Sequence, residues 1–224
     1  MAELGAWIDL SHEYSQHTPP WPGDRLFRLL TPDVAAESDD NTIVEEFEAS
    51  THLGTHIDAP LHFLPGQKAI GDFDVSHFAG AALVLDVRGQ QTIVLTDAQR
   101  AALAETRPDG TPRCPVVLIH TAWDERWGGP GYFEGYPVLA PETVAALVAA
   151  RVHLVGLDTP SPDAAPFLAH PELLRHDVLI VENLRGLGCL LGATSVEFAA
   201  FPLRMRCSGS PVRAVARRVP GGAE

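Results

Sequence analysis

Between residues 81 and 182 the chain alternates apolar runs with helix signals, and that order restricts the fold more than any other feature of the sequence. Ala81-Ala-Leu-Val-Leu-Asp-Val87 is a continuous apolar run and reads as a buried strand. Thr96 and Gln99 form a capping box ahead of an alanine-rich stretch, which predicts a helix over 96–105. Pro115-Val-Val-Leu-Ile-His120 is the next strand, and Pro141 opens a second helix at its first turn, where a missing N–H costs nothing. Val152-His-Leu-Val-Gly-Leu-Asp158 and Val178-Leu-Ile-Val-Glu182 follow as strands. Both end in a carboxylate, at the edge where open α/β sheets tend to carry their sites. The expected class is α/β.

The flanks are shorter and more broken. Ala6–Leu10, Phe27–Leu30 and Thr42–Glu48 are brief apolar stretches between turn residues, which favours strands. Thr18-Pro-Pro-Trp21-Pro-Gly-Asp24 cannot be regular structure, because three prolines remove donors and fix the chain; it is a rigid loop carrying one large aromatic. Pro211–Ala216 reads as a closing strand. With no internal repeat, low-complexity tract or long linker, 224 residues are expected to form a single domain spanning 1–224.

Charge and cysteine content narrow the function classes. A formal net charge of −13 repels phosphate backbones, so no nucleic-acid partner is expected. No apolar run approaches the length of a membrane span and no signal-peptide pattern opens the chain, so the expectation is a cytoplasmic protein without a membrane partner. Cys114, Cys189 and Cys207 are odd in number and form no C-x-x-C pair; they read as buried small hydrophobes. Any bound metal must therefore be held by imidazole and carboxylate, donors that suit zinc and also manganese or iron.

Three of the ten histidines lie between positions 52 and 62, with Asp58 among them, in the spacing H-x3-H-x-D-x3-H. On a helix His52 and His56 would share a face, but Asp58 would point away. On a strand all would share a face, yet His52 and His56 would stand about 13 Å apart, too far to converge on an ion with bonds of about 2 Å. Gly54 lets the chain bend between the histidines, and Pro60 keeps a helix from continuing through Asp58. The spacing predicts a bent, non-helical ligand loop, against the plainer reading of polar residues on a solvated strand face. Elsewhere the residues leave both readings open. Glu182 could face water at a strand end, Ala169-His170-Pro171 looks like a turn, and Trp21 could cap the core or wall a pocket for a planar substrate. His12, His17, His77, His120, His153 and His176 have no comparable partners and read as structural.

The motif His52-x-Gly-Thr-His56-x-Asp58-x-Pro60-x-His62 resembles the signature of the cyclase family of metal hydrolases, which includes bacterial kynurenine formamidases and isatin hydrolases. Asp9-Leu-Ser11, Pro20-Trp-Pro-Gly-Asp24, Asp158-Thr-Pro-Ser161, Glu182-Asn183 and Gly209-Ser-Pro-Val-Arg213 extend the resemblance over most of the chain. It implies His52, His56 and Asp58 as metal ligands, Asp58 bridging two ions as in the formamidases, and His62 as acid/base. The family's later His and Glu ligands, twelve positions apart, match His170 and Glu182. The resemblance further implies a mixed β-sheet with flanking helices of the swivelling β/β/α type. With it come one or two divalent ions per chain, zinc before manganese, a small-molecule substrate, and a homodimer or homotetramer. The chain departs from the formamidases at Asn183-Leu184, where they carry Gly-Leu, and in the insert-like stretch 121–133.

The expected activity is hydrolysis of an amide, formamide or cyclic amide by metal-activated water. His62 would protonate the departing nitrogen, a task suited to an imidazole with its ordinary pKa near 6.5. Two other classes stay in view: a metal-dependent cyclase or lyase moving protons on a carbon acid, and a metal-binding oligomer without turnover.

Overall fold

The computed structural model describes residues 5–30 and 44–220. The apolar runs that organise the sequence become four strands, β5 (Ala79–Asp86), β7 (Val116–His120), β9 (Leu154–Leu157) and β10 (Leu179–Glu182). Helices α1 (Asp97–Leu103), α2 (Pro141–Ala149) and α3 (Ala169–Arg175) separate them, one per crossover, as parallel neighbours require. Thr96 caps α1 as its sequence predicts: Thr96 Oγ1 accepts from Gln99 N at 3.2 Å, and Gln99 Oε1 accepts from Thr96 N at 2.9 Å. Pro141 begins α2. The remaining strands are β1 (Ile8–Asp9), β2 (Arg28–Leu30), β3 (Glu46–Glu48), β4 (His56–Asp58), β6 (Thr92–Ile93), β8 (Val138–Leu139), β11 (Ser195–Pro202) and β12 (Gly209–Val219).

The main sheet is mixed. β5, β7, β9 and β10 are parallel, whereas β11, β12, β1 and β4 join antiparallel, giving the order β1-β12-β11-β5-β7-β9-β10-β4. β4 pairs with β10 on one side and with the start of β12 on the other, so the sheet closes on itself. Alternation then sorts the side chains. Val116, Leu118, Leu154, Leu179 and Val181 join Ile57, Phe198 and Ala214 in the core enclosed by the sheet. Val117, Ile119, Val155, Leu157 and Ile180 pack on the other face, with Leu103, Val144, Leu147, Leu173 and Leu174 of the helices. Burial on both faces is why these strands read as unbroken apolar runs. β2 and β3 form a separate antiparallel pair, and β6 pairs with β8.

Several expectations need correction. Ala169-His170-Pro171 is the first turn of α3, not a free turn; proline is tolerated there because the first N–H groups of a helix have no intrahelical partner. β11 was not anticipated, and β12 begins at Gly209, before Pro211. Of the expected strand over 42–48, residues 42 and 43 lie outside the described residues and Glu46–Glu48 is extended. The cysteines are not core residues: Cys189 is exposed, and Cys114 and Cys207 are half-buried. Among the described residues, no helix is long and apolar enough to cross a membrane.

Candidate metal centre

The bend at Gly54 is present, with φ of +62°, a conformation that favours glycine. A Cβ there would also crowd the Tyr14 ring at 3.1 Å and the Thr18 methyl at 3.2 Å. Beyond the bend the chain becomes β4, whose alternation buries Ile57 in the core and turns His56 and Asp58 to the opposite face. Across the antiparallel ladder Glu182 stands opposite His56, and Ile180 opposite Asp58. α3 then brings in His170. The bend gathers His52 as well, its ring centroid 5.2 Å from that of His56.

The five side chains converge on one point. His56 Nε2 lies 3.3 Å from Asp58 Oδ1 and 3.4 Å from Glu182 Oε2, while His170 Nε2 lies 3.2 Å from Glu182 Oε1 and 3.6 Å from Asp58 Oδ2. His52 Nδ1 is 2.6 Å from Asp58 Oδ1, and its Nε2 is 2.8 Å from Ser208 Oγ. Glu182 is buried, which removes the reading of a carboxylate facing water.

The donor set fits a divalent cation. His56 Nδ1 donates to the Gly54 carbonyl at 2.8 Å and His170 Nδ1 to Asp163 Oδ1 at 2.6 Å, acceptors that fix those protons and leave each Nε2 as the free nitrogen. Each free Nε2 faces carboxylate oxygens, so acceptor meets acceptor unless positive charge stands between them. Separations of 3.2–3.6 Å match the edges of a tetrahedral shell, about 3.3 Å for bonds of about 2.0–2.1 Å. Among the described residues Asp58 Oδ2 is buried without a hydrogen-bond partner, a costly state that a cation relieves.

Electrostatics says the same. Burial pushes the His56 pKa down, but Asp58 and Glu182 outweigh it and bring it to about 9. His170 is raised well above the usual imidazole range, burial again being overcome, chiefly by the neighbouring carboxylates of Asp163, Asp58 and Glu182. Burial raises Asp58, yet the surrounding imidazoles hold it well below the usual carboxylate range. Glu182 goes up, through burial and then the charge of Asp58. Two adjacent buried carboxylates thus draw positive charge to this point.

His62 ends the 3-10 turn Pro60–His62 and is exposed at the rim, stacked on His52 with centroids 3.9 Å apart. Its pKa is not the ordinary 6.5: although part of the residue reaches solvent, the ring's stacking in the cleft withdraws it from water and lowers the pKa, Asp58 opposes, and His52, His170 and His56 lower it further, to about 4. Ligand atoms of His62, Asp58 and His170 come within 4.8 Å of one another, so His62 is near enough to coordinate as well as to move protons. A cavity of about 370 Å³ opens above the cluster, its walls including Trp21, Phe63, Phe133 and Phe167. Trp21 meets Phe133 edge-on at 5.5 Å.

Sequence reasoning missed the residues that hold this cluster. Asp163 binds His170 Nδ1 through Oδ1, while its Oδ2 accepts from the backbone N–H groups of Ala169 and His170 at 2.6 and 3.0 Å. One carboxylate thereby caps α3 and orients its histidine. The signal available was an acidic residue on the proline-rich stretch just upstream of His170. His120, read as unpartnered, donates to Asp158 Oδ2 at 2.9 Å. Asp158 also accepts from Thr121 N, Thr121 Oγ1 and Ala122 N, so its oxygens are already occupied and it braces the strand ends.

Comparison with known proteins gives a consistent picture. The Cyclase family model matches residues 8–164. Kynurenine formamidase of Geobacillus thermodenitrificans (strain NG80-2) is 35% identical, the alignment covering 96% of this chain and 99% of that protein. The kynurenine formamidase of Bordetella pertussis is 34% identical, with 94% and 97% covered. An isatin hydrolase structure bound to the product analogue thioisatinate superposes with a TM-score of 0.80 at 23% identity, covering 96% of this chain and 92% of that one. Isatin hydrolase A from Ralstonia solanacearum gives 0.76 at 24% identity, with 95% and 91% covered. These two structures share the fold of this chain.

Proposed function

The chain belongs to the cyclase family, and from that premise we propose that it is a metal-dependent hydrolase cleaving the carbon–nitrogen bond of an amide, with an aromatic formamide or cyclic amide as preferred substrate. The observation that carries this reading is the convergence of His52, His56, Asp58, His170 and Glu182 on the floor of an aromatic-walled cavity. The kynurenine formamidases and isatin hydrolases it resembles are named for an N-formyl aromatic amine and for a cyclic amide fused to an aromatic ring.

His56, Asp58, His170 and Glu182 would hold the ion, with His52 beside Asp58 as a further donor. A bound divalent ion would bring the pKa of a water near 7 and polarise the scissile carbonyl. Trp21, Phe63, Phe133 and Phe167 hold the substrate ring and keep bulk water from the cleft. His62, at the rim, takes the proton that water gives up and returns it to the nitrogen as the carbon–nitrogen bond breaks. One water is consumed: its oxygen joins the acyl carbon, the proton carried by His62 completes the departing amine, and the other proton goes with the acid product.

Zinc is the first choice for this nitrogen and oxygen donor set, manganese the second. The overlapping groups His52–His56–Asp58 and Asp58–His62–His170 share Asp58, which supports a site for one or two ions. The same proposal includes a small-molecule substrate with no nucleic-acid or membrane partner, a cytoplasmic location and a homodimer or homotetramer. Net charge supports the exclusion of nucleic acid, three unpaired cysteines support a reducing compartment, and exposed Leu26, Leu29, Phe47, Phe201 and Leu203 support self-association.

The test is incubation of zinc- or manganese-loaded protein with N-formylaniline and with a benzo-fused cyclic amide, followed by product mass. Formate and aniline, or a ring-opened product heavier by one water, support the proposal. Turnover of a carbon acid with no water gained would replace it with a lyase.

A further inference from the structure

Asn183 and the stretch 121–133 meet in one hydrogen-bonded chain. Tyr132 is almost fully buried and its hydroxyl donates to Asn183 Oδ1 at 2.8 Å. The Asn183 amide donates onward to the Gly54 carbonyl at 2.9 Å, the same oxygen that receives His56 Nδ1. Asn183 adopts φ of +57°, a left-handed conformation in which asparagine is among the few side chains readily accommodated. Its side chain therefore ties the 121–133 stretch to the bend between His52 and His56.

The rest of that stretch is built around Tyr132. Trp123 Nε1 donates to the Tyr132 carbonyl at 2.9 Å, and the Trp127 ring meets the Tyr132 ring edge-on at 5.1 Å. The residue after this anchor is Phe133, which is half-buried, lines the cavity and meets Trp21 edge-on. Only one peptide unit separates the buried phenol from the cavity wall, so the hydrogen bond to Asn183 helps hold the backbone from which the Phe133 ring projects. A glycine at 183 would offer no side-chain acceptor and would release that anchor.

We propose that Phe133 determines specificity by walling the substrate's aromatic ring, and that Tyr132, through Asn183, positions it relative to the histidine loop. This rests on reading the cavity as the site of an amide hydrolase with an aromatic substrate. The ligand class is a planar ring bearing the amide, which Phe133 and Trp21 would contact at edge or face; aliphatic amides would not use that wall.

The experiment uses metal-loaded protein and the variants Phe133→Ala and Tyr132→Phe, with metal content measured on each. KM and kcat are determined for N-formylaniline and N-butylformamide, and binding of benzamide, a ring probe whose turnover is checked by product mass, is followed by tryptophan fluorescence. Phe133→Ala is expected to raise the N-formylaniline KM and the benzamide Kd about tenfold, leaving the N-butylformamide KM within about twofold and the metal in place. Tyr132→Phe should shift the same two constants about three- to fivefold with kcat unchanged. Equal effects on both formamides, unaltered benzamide binding in Phe133→Ala, no benzamide binding by the parent protein, or metal loss as the sole effect of Tyr132→Phe would each overturn the proposal. Absence of formamide hydrolysis with benzamide binding weakened as expected would remove the hydrolase reading and leave ring recognition standing. Hydrolysis that is indifferent to Phe133→Ala would do the reverse.

Discussion

His62 and Asp163 both meet histidines of the candidate centre and act on it differently. His62 is exposed at the rim and stacked on His52, so as an acid/base it should contribute about a hundredfold to ten-thousandfold in rate. His62→Ala is expected to lose kcat/KM on that scale with metal content unchanged; loss of the ion would make His62 a ligand. Asp163 does not line the cavity but holds the far nitrogen of His170. Asp163→Asn should weaken metal affinity about 10–100-fold, read by competition with a chelator, and unchanged affinity would reduce it to a helix cap. His52, His56 and Asp58 could be picked out in the sequence because they share one short segment. Asp163 could not, since its task exists only once α3 is folded over it, and the shifted pKa of His62 depends on neighbours brought from β4 and α3.

At the scale of elements, the ladder between β4 and β10 places His56 against Glu182, and β12 closes the other side of β4. Gly209 begins β12 directly behind His52: a Cβ there would stand 2.5 Å from His52 Cε1 and 2.8 Å from the Ile57 carbonyl. Gly209→Ala should therefore displace His52 and destabilise the fold by about 1–3 kcal/mol. Denaturant unfolding with chelator titration checks both effects, and a variant with native stability and native metal affinity would show that β12 yields easily. The parallel core strands and both central helices were legible because unbroken apolar runs, a capping box and a helix-opening proline each have a local cause. The closure of the sheet was not, because pairing of β4 with β12 joins segments about 150 residues apart and leaves no local signature. α3 was missed for a related reason: its cap comes from Asp163, a side chain outside the helix, and its short sequence reads as a turn.

Over the whole molecule, stability depends on pH through titratable groups withdrawn from water. His12 stacks on Trp127 at 3.9 Å, joining the first strand's loop to the 121–133 stretch, and its Nε2 is buried without a partner among the described residues. Withdrawal from water, then the Arg185 charge, lowers its pKa to about 4. In the unfolded chain a histidine takes its proton near 6.5, so between pH 6.5 and 4 the unfolded state binds more protons and stability falls as pH falls. His12→Phe keeps the stacking and should reduce the stability lost between pH 7 and 4.5 by about 1–2 kcal/mol, measured by urea unfolding at the two pH values. An equal loss in both proteins would remove His12 from the acid response. A cation held by the two buried carboxylates would join β4, β10 and α3 at one point. Elemental analysis of the purified protein beside Asp58→Ala tests that claim most directly. At least one zinc or manganese ion per chain in the parent, with most of it lost in a folded Asp58→Ala variant, is the predicted result; full metal retention in that variant would contradict it.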